Sequence, residues 1–250
     1  MSQRIQEYLL ASASHGREVL RAGPFTVTIS GHDPNVYINY AIPDAGADPT
    51  ADDVKALVDA FRSRDRQPRL EYLPGLAPAV EPALVAAGFV VADRLPLMER
   101  PPGVEIDQPA PEGVEFVPPV SDDDLLAMVS AQHEAFGEPA PSAAHVAAAR
   151  DKAAAGHIQL LVRDTTSGEP VGGGVAVAVR DGISEVAGIA VRPKYERRGI
   201  GGTLTLHLTR AAHAAGATLV FLTPAGDAQE RVYSRVGYRR TDSVLFLSKE

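Results

Sequence analysis

The sequence predicts a mixed α/β (α+β) protein in which two similar domains follow one another, each a sheet flanked by helices and the first one truncated. Three observations predict this fold class. Short apolar segments rich in β-branched residues alternate with segments whose apolar residues recur at helical spacing. A segment rich in proline and glycine, Arg100 to Pro119, separates the halves. A gapless shift of 149 residues places Leu70–Arg100 on Leu219–Lys249.

The first half carries local start and stop signals for helices. Ser2 can cap a first helix, and Thr50 with Asp53 three positions later predicts the capped start of another. Glycine ends a helix readily, so Gly16 and Gly88 mark two helix ends. We expect helices from Ser2 to before Gly16, from Thr50 through Phe61, and through Val80 and Leu84 to Gly88, with strands at 25–29 and 36–42 (joined by a turn at 31–34), 70–73 and 89–98.

The second half follows the linker, which gives predicted domains at residues 1–104 and 105–250. Three aspartates, Asp122 to Asp124, follow Ser121 and suit the positive end of a helix dipole better than a metal site. The three glycines Gly172–Gly174 predict a bulge or a close approach of two backbones. We expect strands at 114–117, 158–162, 171–179, 183–191, 218–222 and 238–247, and helices from Ser121 to Phe136, from Ser142 to Gly156, from Ile200 to before Gly216, and from a cap at Asp227.

The stretch from Ile183 to Thr203 is the most informative part of the chain. It consists of a strand, a turn with the basic residues Arg192, Lys194, Arg197 and Arg198, and a helix start with Gly199, Gly201 and Gly202. Glycines let backbone N–H groups approach a ligand, and a helix N-terminus attracts anions. The pattern therefore predicts a phosphate or pyrophosphate site, although a solvated basic turn is the alternative. It is neither a P-loop nor a Rossmann fingerprint.

At these residues the sequence resembles the GNAT superfamily of acyl-CoA-dependent N-acyltransferases. The motif of that family, Q/R-x-x-G-x-G/A, is matched by Glu196-Arg197-Arg198-Gly199-Ile200-Gly201, with glutamate at its first position. The resemblance, which covers about Val114 to the C-terminus, implies acetyl-CoA as co-substrate and no metal. It also implies that Gly188 permits a strand bulge and that the coenzyme is bound by Ile189, Ala190, Val191, Arg197, Arg198, Gly199, Ile200, Gly201, Gly202 and Thr203.

Two residues are candidates for acid–base chemistry. Tyr233 precedes Gly237-Tyr238 in a pattern similar to the family's Y-x-x-x-G-F, whose tyrosine commonly protonates the coenzyme sulfur. The alternative is a packed helix aromatic, but the internal copy has Leu84 at this place, which favours chemistry. Glu185, six residues before Val191, stands where some members of the family carry a general base. A solvent-facing strand residue is equally consistent with its position.

The internal similarity suggests what the first domain is. Extending the shift backwards places Ile42-Pro43 on Val191-Arg192, so the basic glycine turn corresponds to residues 44–53, which contain four aspartates. We therefore expect the first domain to be a degenerate GNAT-like copy that cannot bind a pyrophosphate in the same way. Chance similarity between two αβ segments is the alternative.

Composition narrows the function further. There are no cysteines, no long apolar run and no signal-peptide pattern, so we expect a cytoplasmic protein without membrane association. A net charge of −8 argues against nucleic acid and weakly favours a cationic acceptor. The prediction is an N-acetyltransferase acting on a small-molecule or peptide amine, with a homodimer left open. An acyl-CoA-binding sensor without efficient turnover is the alternative, and a structural assembly domain is a weaker one.

Overall fold

A computed structural model of the chain describes residues 2–31, 35–106 and 108–250. The chain divides into two compact units: residues up to Leu97 together with Arg240–Glu250, and Met98–Arg239. The predicted domain boundary lay at residue 104, and it assigned the last strand to the second domain. The division by contacts instead gives the end of the chain to the first unit.

The elements alternate as the sequence predicts. In chain order they are α1 (Ser2–Ser14), β1 (Glu18–Ala22), β2 (Phe25–Ile29), β3 (Tyr40–Pro43), α2 (Ala51–Arg62), β4 (Arg69–Tyr72), α3 (Val80–Ala86), β5 (Val90–Arg100), β6 (Val114–Val117), α4 (Asp122–Phe136), α5 (Ala143–Ala154), β7 (Ile158–Asp164), β8 (Pro170–Ala176), β9 (Ile183–Val191), α6 (Ile200–Ala214), β10 (Leu219–Leu222), α7 (Asp227–Arg235) and β11 (Arg239–Ser248).

The strands of the first unit are ordered β1-β2-β3-β4-β11, and β3 and β4 are parallel while the other neighbours are antiparallel. Strand β1 was not predicted, because its exposed charged residues hide the apolar pattern of a strand at the sheet edge. The strand predicted at 36–42 begins only at Tyr40, and residues 32–34 of the predicted turn lie outside the described residues.

In the second unit, Met98–Arg100 at the end of β5 pair with β10, and the order continues β10-β9-β8-β7-β6; only β9 and β10 are parallel among these neighbours. Helices cover both faces of the sheet. A Cβ at Gly173 would meet Met128 of α4, whereas a Cβ at Gly174 would meet Leu208 of α6. Since successive strand residues point to opposite faces, α4 and α6 lie on opposite sides.

The helix caps follow local chemistry with one exception. Thr50 caps α2 and Ser121 caps α4, each in a capping box with the aspartate three residues later, as predicted. The predicted cap of α7 was wrong. Gly226 is the N-cap there, and Asp227 is the first helical residue, where its charge still suits the helix dipole.

The register of the parallel pairs corrects the gapless internal alignment. Ala41 pairs with Leu70, 29 residues later, whereas Ile183 pairs with Leu219, 36 residues later. Pro43, the end of β3, therefore corresponds to Glu185 and not to Arg192. The first unit lacks a counterpart of the last part of β9, and its residues 44–50 connect the shorter strand β3 directly to α2. Asp44 is held by Arg21 at 2.6 Å.

Candidate functional site

Strand β9 pairs with β10 only over the first three of its nine residues. The two strands pair from Ile183 to Glu185, and β9 then continues to Val191 beyond its last partner residue, Phe221. Gly188 has a φ of 62°, and the register between β8 and β9 shifts beside it. The predicted bulge is therefore present. From α4, Gln132 Nε2 donates a hydrogen bond to the Gly188 carbonyl at 2.8 Å.

Strand β8 lies against this irregular part of β9 through its glycines. A Cβ at Gly172 would stand 2.3 Å from the carbonyl oxygen of Ala190, which is too close for any residue other than glycine. The predicted close approach at Gly172–Gly174 is observed. It seals one edge of β9 and leaves the edge towards β10 as the open one.

The turn after β9 presents backbone groups in an unusual conformation. Arg197 has a φ of 61° and Gly199 a φ of 78°, so left-handed residues stand on both sides of Arg198. Such alternation forms a concave nest of N–H groups that binds anions. Gly199 is also the N-cap of α6, so the first N–H groups of the helix open at the same place.

The helix start leaves room for a ligand. A Cβ at Gly199 would meet only Gln108, at 3.9 Å, and a Cβ at Gly201 would meet Val191 at 3.8 Å. Ile200 and Thr203 are buried, and the Thr203 N–H donates to the Gly199 carbonyl at 3.1 Å. Their side chains anchor the helix, while the backbone of the first turn remains the part that can face a phosphate.

The basic residues of the turn have different partners. The Arg192 guanidinium is paired with Glu134 at 2.6 Å and with Glu169 at 2.8 Å, and the Lys194 ammonium lies 2.5 Å from Glu169. Arg192 and Lys194 thus already have carboxylate partners within the protein. The Lys194 hydrogen bond also holds the pKa of Glu169 below its ordinary value.

Arg197 and Arg198 are the exposed cations of the motif itself. Arg198 donates to the carbonyl of Glu112 at 2.8 Å and lies over the ring of Tyr195, 5.5 Å from its centre. No ion pair of Arg197 or Arg198 is present among the described residues. Their charge is therefore available to an anion at the helix start.

Gln108 is a residue of the site that sequence reasoning missed. Its Nε2 donates to the Gly199 carbonyl at 3.2 Å and to Thr203 Oγ1 at 2.8 Å. Its Nε2 also lies 3.1 Å from the position that a Cβ of residue 202 would occupy, so the amide packs closely against Gly202. Gln108 belongs to the proline-rich linker, and no local signal in that segment predicts a contact with residues so distant in the chain.

Tyr233 is buried in the core cluster that α6 and α7 form with the sheet. Its ring lies 6.4 Å from that of Tyr238. Burial raises the pKa of the Tyr233 phenol to about 12, so the side chain is a neutral proton donor at ordinary pH. Packing and a chemical role are both compatible with this position.

Glu185 is half-buried and is the last residue of β9 that pairs with β10. Its neighbour Val186 belongs to the cluster beneath α6, so strand alternation places Glu185 on the face that carries α4. Beyond it, Ile189, Ala190 and Val191 form the end of the strand, which lies beside β8 but has no pairing with β10. The predicted coenzyme residues are thus brought together along one path, from β9 through the turn into α6.

Two classes of site are not found. No helix in the described part of the chain is long and apolar enough to cross a membrane. Among residues 2–31, 35–106 and 108–250 there is also no group of three or more His, Cys, Asp or Glu side chains that could hold a metal ion.

Comparison with known families agrees with the geometry. Residues 121–238 match the model of the acetyltransferase (GNAT) family, and this range lies entirely within the second unit. The chain contains a GNAT acetyltransferase domain. The strand with the Gly188 bulge and the left-handed turn before α6 lie inside the matched range. A search of curated proteins found no match to the sequence.

Solved structures extend the similarity to the whole chain. A GCN5-related N-acetyltransferase from Kribbella flavida is 25% identical, with 100% of this chain and 95% of that chain covered and a TM-score of 0.83. A GCN5-related N-acetyltransferase from Sphaerobacter thermophilus is 17% identical, with 98% and 85% covered and a TM-score of 0.69. A tandem GNAT protein from the clavulanic acid biosynthesis pathway is 14% identical, with 93% and 81% covered and a TM-score of 0.67. The predicted fold class is confirmed.

Proposed function

We propose that the chain transfers the acetyl group of acetyl-CoA to a primary amine. One observation carries this proposal. Beyond Glu185 the edge of β9 towards β10 is unpaired, and the strand then leads through the left-handed turn to the start of α6. A thioester arm fits beside a strand that has lost its neighbour, and a pyrophosphate fits the N-terminus of a helix. The matched family model supports the reaction class.

The binding residues divide the coenzyme between them. The backbone of Ile189 to Val191 would form hydrogen bonds with the pantetheine arm, which would take the place of β10 beside this part of β9. The N–H groups from Arg197 to Thr203 would receive the pyrophosphate, with the Arg197 and Arg198 side chains adding charge. This assignment needs no metal.

The chemical step needs one base and one acid. The amine nitrogen attacks the thioester carbonyl carbon, the C–N bond forms, and the C–S bond breaks to release the coenzyme as a thiolate. Glu185, directly or through water, would take the proton of the ammonium. Tyr233, whose pKa is raised to about 12 by burial, would donate a hydrogen bond or proton to the sulfur. Positioning supplies most of the rate gain.

Calorimetric titration of the full chain with acetyl-CoA tests the binding half of the proposal. We expect one site of micromolar affinity, and no heat of binding would contradict the proposal. An amine library, followed by release of free thiol, would then identify the acceptor. The cytoplasmic location and a possible homodimer also remain predictions.

Tyr233→Phe tests the chemical half. We expect turnover to fall by about 10²–10⁴-fold, since this is the usual contribution of a positioned acid, while the Kd for acetyl-CoA changes little. The wild-type rate should not decline up to about pH 10, because the phenol stays protonated there.

A second candidate function is an acyl-CoA-binding sensor without efficient turnover. Glu196, an exposed carboxylate at the first motif position, favours it. Its charge repels the pyrophosphate and so disfavours the coenzyme position that the transfer reaction needs. In a sensor the wild type binds acetyl-CoA but releases no thiol with any amine, and Tyr233→Phe then changes nothing.

A further inference from the structure

A buried arginine in the first unit has no polar side-chain partner among the described residues. Arg69, the first residue of β4, keeps only 8% of its surface exposed. Its Nε is fully buried without a hydrogen bond, and its guanidinium forms no hydrogen bond or ion pair with any of the described residues. Burial of an unpaired charge is costly, so such groups normally have a partner.

Two aromatic rings hold this guanidinium. It lies 4.9 Å from the ring centre of Tyr37 and 5.5 Å from that of Phe246 on β11. Rings hold the cation in place but accept no conventional hydrogen bonds, so the N–H groups remain available. The Tyr37 side chain is 69% exposed and covers Arg69 from the solvent side. A ligand can reach the guanidinium if that ring moves aside.

A carboxylate stands beside it on the same strand. Glu71 lies two residues after Arg69, which places both side chains on one face of β4, and it pairs in register with Phe246. Glu71 is half-buried and has no hydrogen bond or salt bridge with the described residues. Burial raises its pKa to about 7, although Arg69 and Arg17 act in the opposite direction. The two charges are near each other and not joined.

The second cation nearby is already engaged. Arg17 donates to the Ile38 carbonyl at 2.5 Å and lies 5.7 Å from the centre of the Tyr40 ring. Arg17 therefore shapes the field around Glu71 but has its own partners. Within the described residues, Arg69 and Glu71 are thus a donor and an acceptor without hydrogen-bond partners, two positions apart on one face of β4.

We propose that Arg69 and Glu71 form a binding site for a small zwitterion, an amino acid or a short peptide end, in the first unit. The ligand carboxylate would be received by the Arg69 guanidinium in a forked pair of hydrogen bonds, and its ammonium by the Glu71 carboxylate. The site is separate from the acetyl-CoA path, and the proposal does not depend on the acetyltransferase assignment.

The test uses the full chain and the common L-amino acids as probes, each added alone at neutral pH without coenzyme. Thermal unfolding screens the set, and calorimetry measures the Kd of any that raises the Tm. For those, the N-acetyl derivative lacks the ammonium and the methyl ester lacks the carboxylate. We expect both derivatives to bind at least about tenfold more weakly, because each loses one charged hydrogen-bond pair.

Two variants and one control locate the site. Arg69→Met keeps the apolar stem between the rings and should abolish binding, while the Tm without ligand stays the same or rises because the unpaired charge is gone. Glu71→Gln should weaken binding by about tenfold. Arg94→Met removes an exposed ion pair with Glu81 in the same unit and should leave the Kd unchanged.

Three results would overturn the proposal. The first is that no amino acid raises the Tm, and the second is that the derivatives bind as well as the parent. The third is that Arg69→Met lowers the Tm of the free protein and leaves the Kd unchanged, which would make Arg69 a structural residue. If Arg69→Met does not fold, Arg69→Lys replaces it, because lysine keeps the charge but cannot form two parallel hydrogen bonds to a carboxylate. An unchanged Kd of the Arg69→Lys protein would equally count against the site.

Discussion

Each unit contains one pair of parallel strands, and the two pairs end differently. In the first unit, β3 ends at Pro43, and the buried side chain of Gln6 in α1 connects it to the end of β4. The Gln6 amide nitrogen donates to the Pro43 carbonyl, and its oxygen accepts from the Leu73 N–H, both at 3.0 Å. In the second unit, β9 runs on past Glu185 without β10 and leads into the helix start at Gly199.

This difference separates a closed strand end from one that can receive a ligand. Backbone groups at the end of a buried strand need partners. A glutamine amide supplies one donor and one acceptor, which is what the first unit uses to close the space between β3 and β4. In the second unit the Gln132 amide also reaches β9, where it donates to the Gly188 carbonyl, but within the described residues it makes no hydrogen bond that connects β9 to β10. We therefore expect only the second unit to bind the coenzyme, although the two units have similar topology.

The largest expected effect is on the helix start of the second unit. Gly201→Glu should weaken acetyl-CoA binding by at least about 100-fold, because a carboxylate in the first turn of α6 faces the pyrophosphate, and like charges in contact cost several kcal/mol. Gly201→Ala should fold normally, since its Cβ would meet Val191 at an ordinary 3.8 Å. Calorimetry measures both.

The matched control lies in the first unit. Ala51→Glu places the same charge at the first residue of α2, behind the Thr50 capping box. There it should leave acetyl-CoA binding unchanged and stabilise the protein by up to about 1 kcal/mol through the helix dipole. Equal loss of binding in both variants would show that the two helix starts do not differ as proposed.

Much of the second unit was predictable because its signals are local. The bounds of β6, β9 and α4 agree with the structure, since β-branched runs and a capping box depend on neighbouring residues only. The close approach at Gly172 followed from glycines inside a strand pattern, and the bulge at Gly188 is what the family resemblance implied. The family motif placed the helix start in the same way.

What could not be predicted depends on residues far apart in the chain. Gln6 and Gln108 are ordinary polar residues in sequence, and only the fold brings them to Leu73 and Gly199. The four basic residues of the turn look alike in sequence, yet Glu169 neutralises Lys194 because β8 places it there. The gapless repeat alignment failed for a related reason, since strand register and not spacing decides which residues correspond.

A smaller effect is expected from Gln6→Leu, which tests whether the amide closes the first unit. The change leaves the Pro43 carbonyl and the Leu73 N–H buried without a partner, so the free energy of unfolding should fall by about 1–3 kcal/mol. The Kd for acetyl-CoA should not change. Urea unfolding and calorimetry measure the two quantities.

Gln3→Leu is the control for this change, because Gln3 donates to Glu7 on the exposed surface of the same helix. It should alter stability by less than about 0.5 kcal/mol. If Gln6→Leu were as mild as Gln3→Leu, the bridge between β3 and β4 would not be what closes the first unit. If the Gln6→Leu protein bound a second acetyl-CoA molecule, the Gln6 amide alone would be what keeps the coenzyme from the first unit, contrary to the expectation of unchanged binding.

The smallest effect concerns the ion pairs beside the turn. Glu169→Gln keeps a side chain of the same shape but removes the charge that neutralises Arg192 and Lys194. Because the turn then becomes more positive, acetyl-CoA should bind about threefold more tightly at low salt, and the gain should disappear at high salt. Asp59→Asn, which breaks an exposed pair with Lys55 in α2, changes the net charge equally and should not affect binding.

The Glu169 carboxylate also predicts how the stability of the protein changes with pH. Hydrogen bonds from Lys194 and Tyr195 lower the pKa of Glu169 in the folded protein, so its contribution to stability is present above its ordinary pKa and is lost as the pH falls below it. Wild type should therefore be more stable than Glu169→Gln near neutral pH, and the difference should shrink below about pH 4. A difference that grew on acidification would mean that Glu169 does not hold Arg192 and Lys194, and the turn after β9 would then be more positive than its ion pairs indicate.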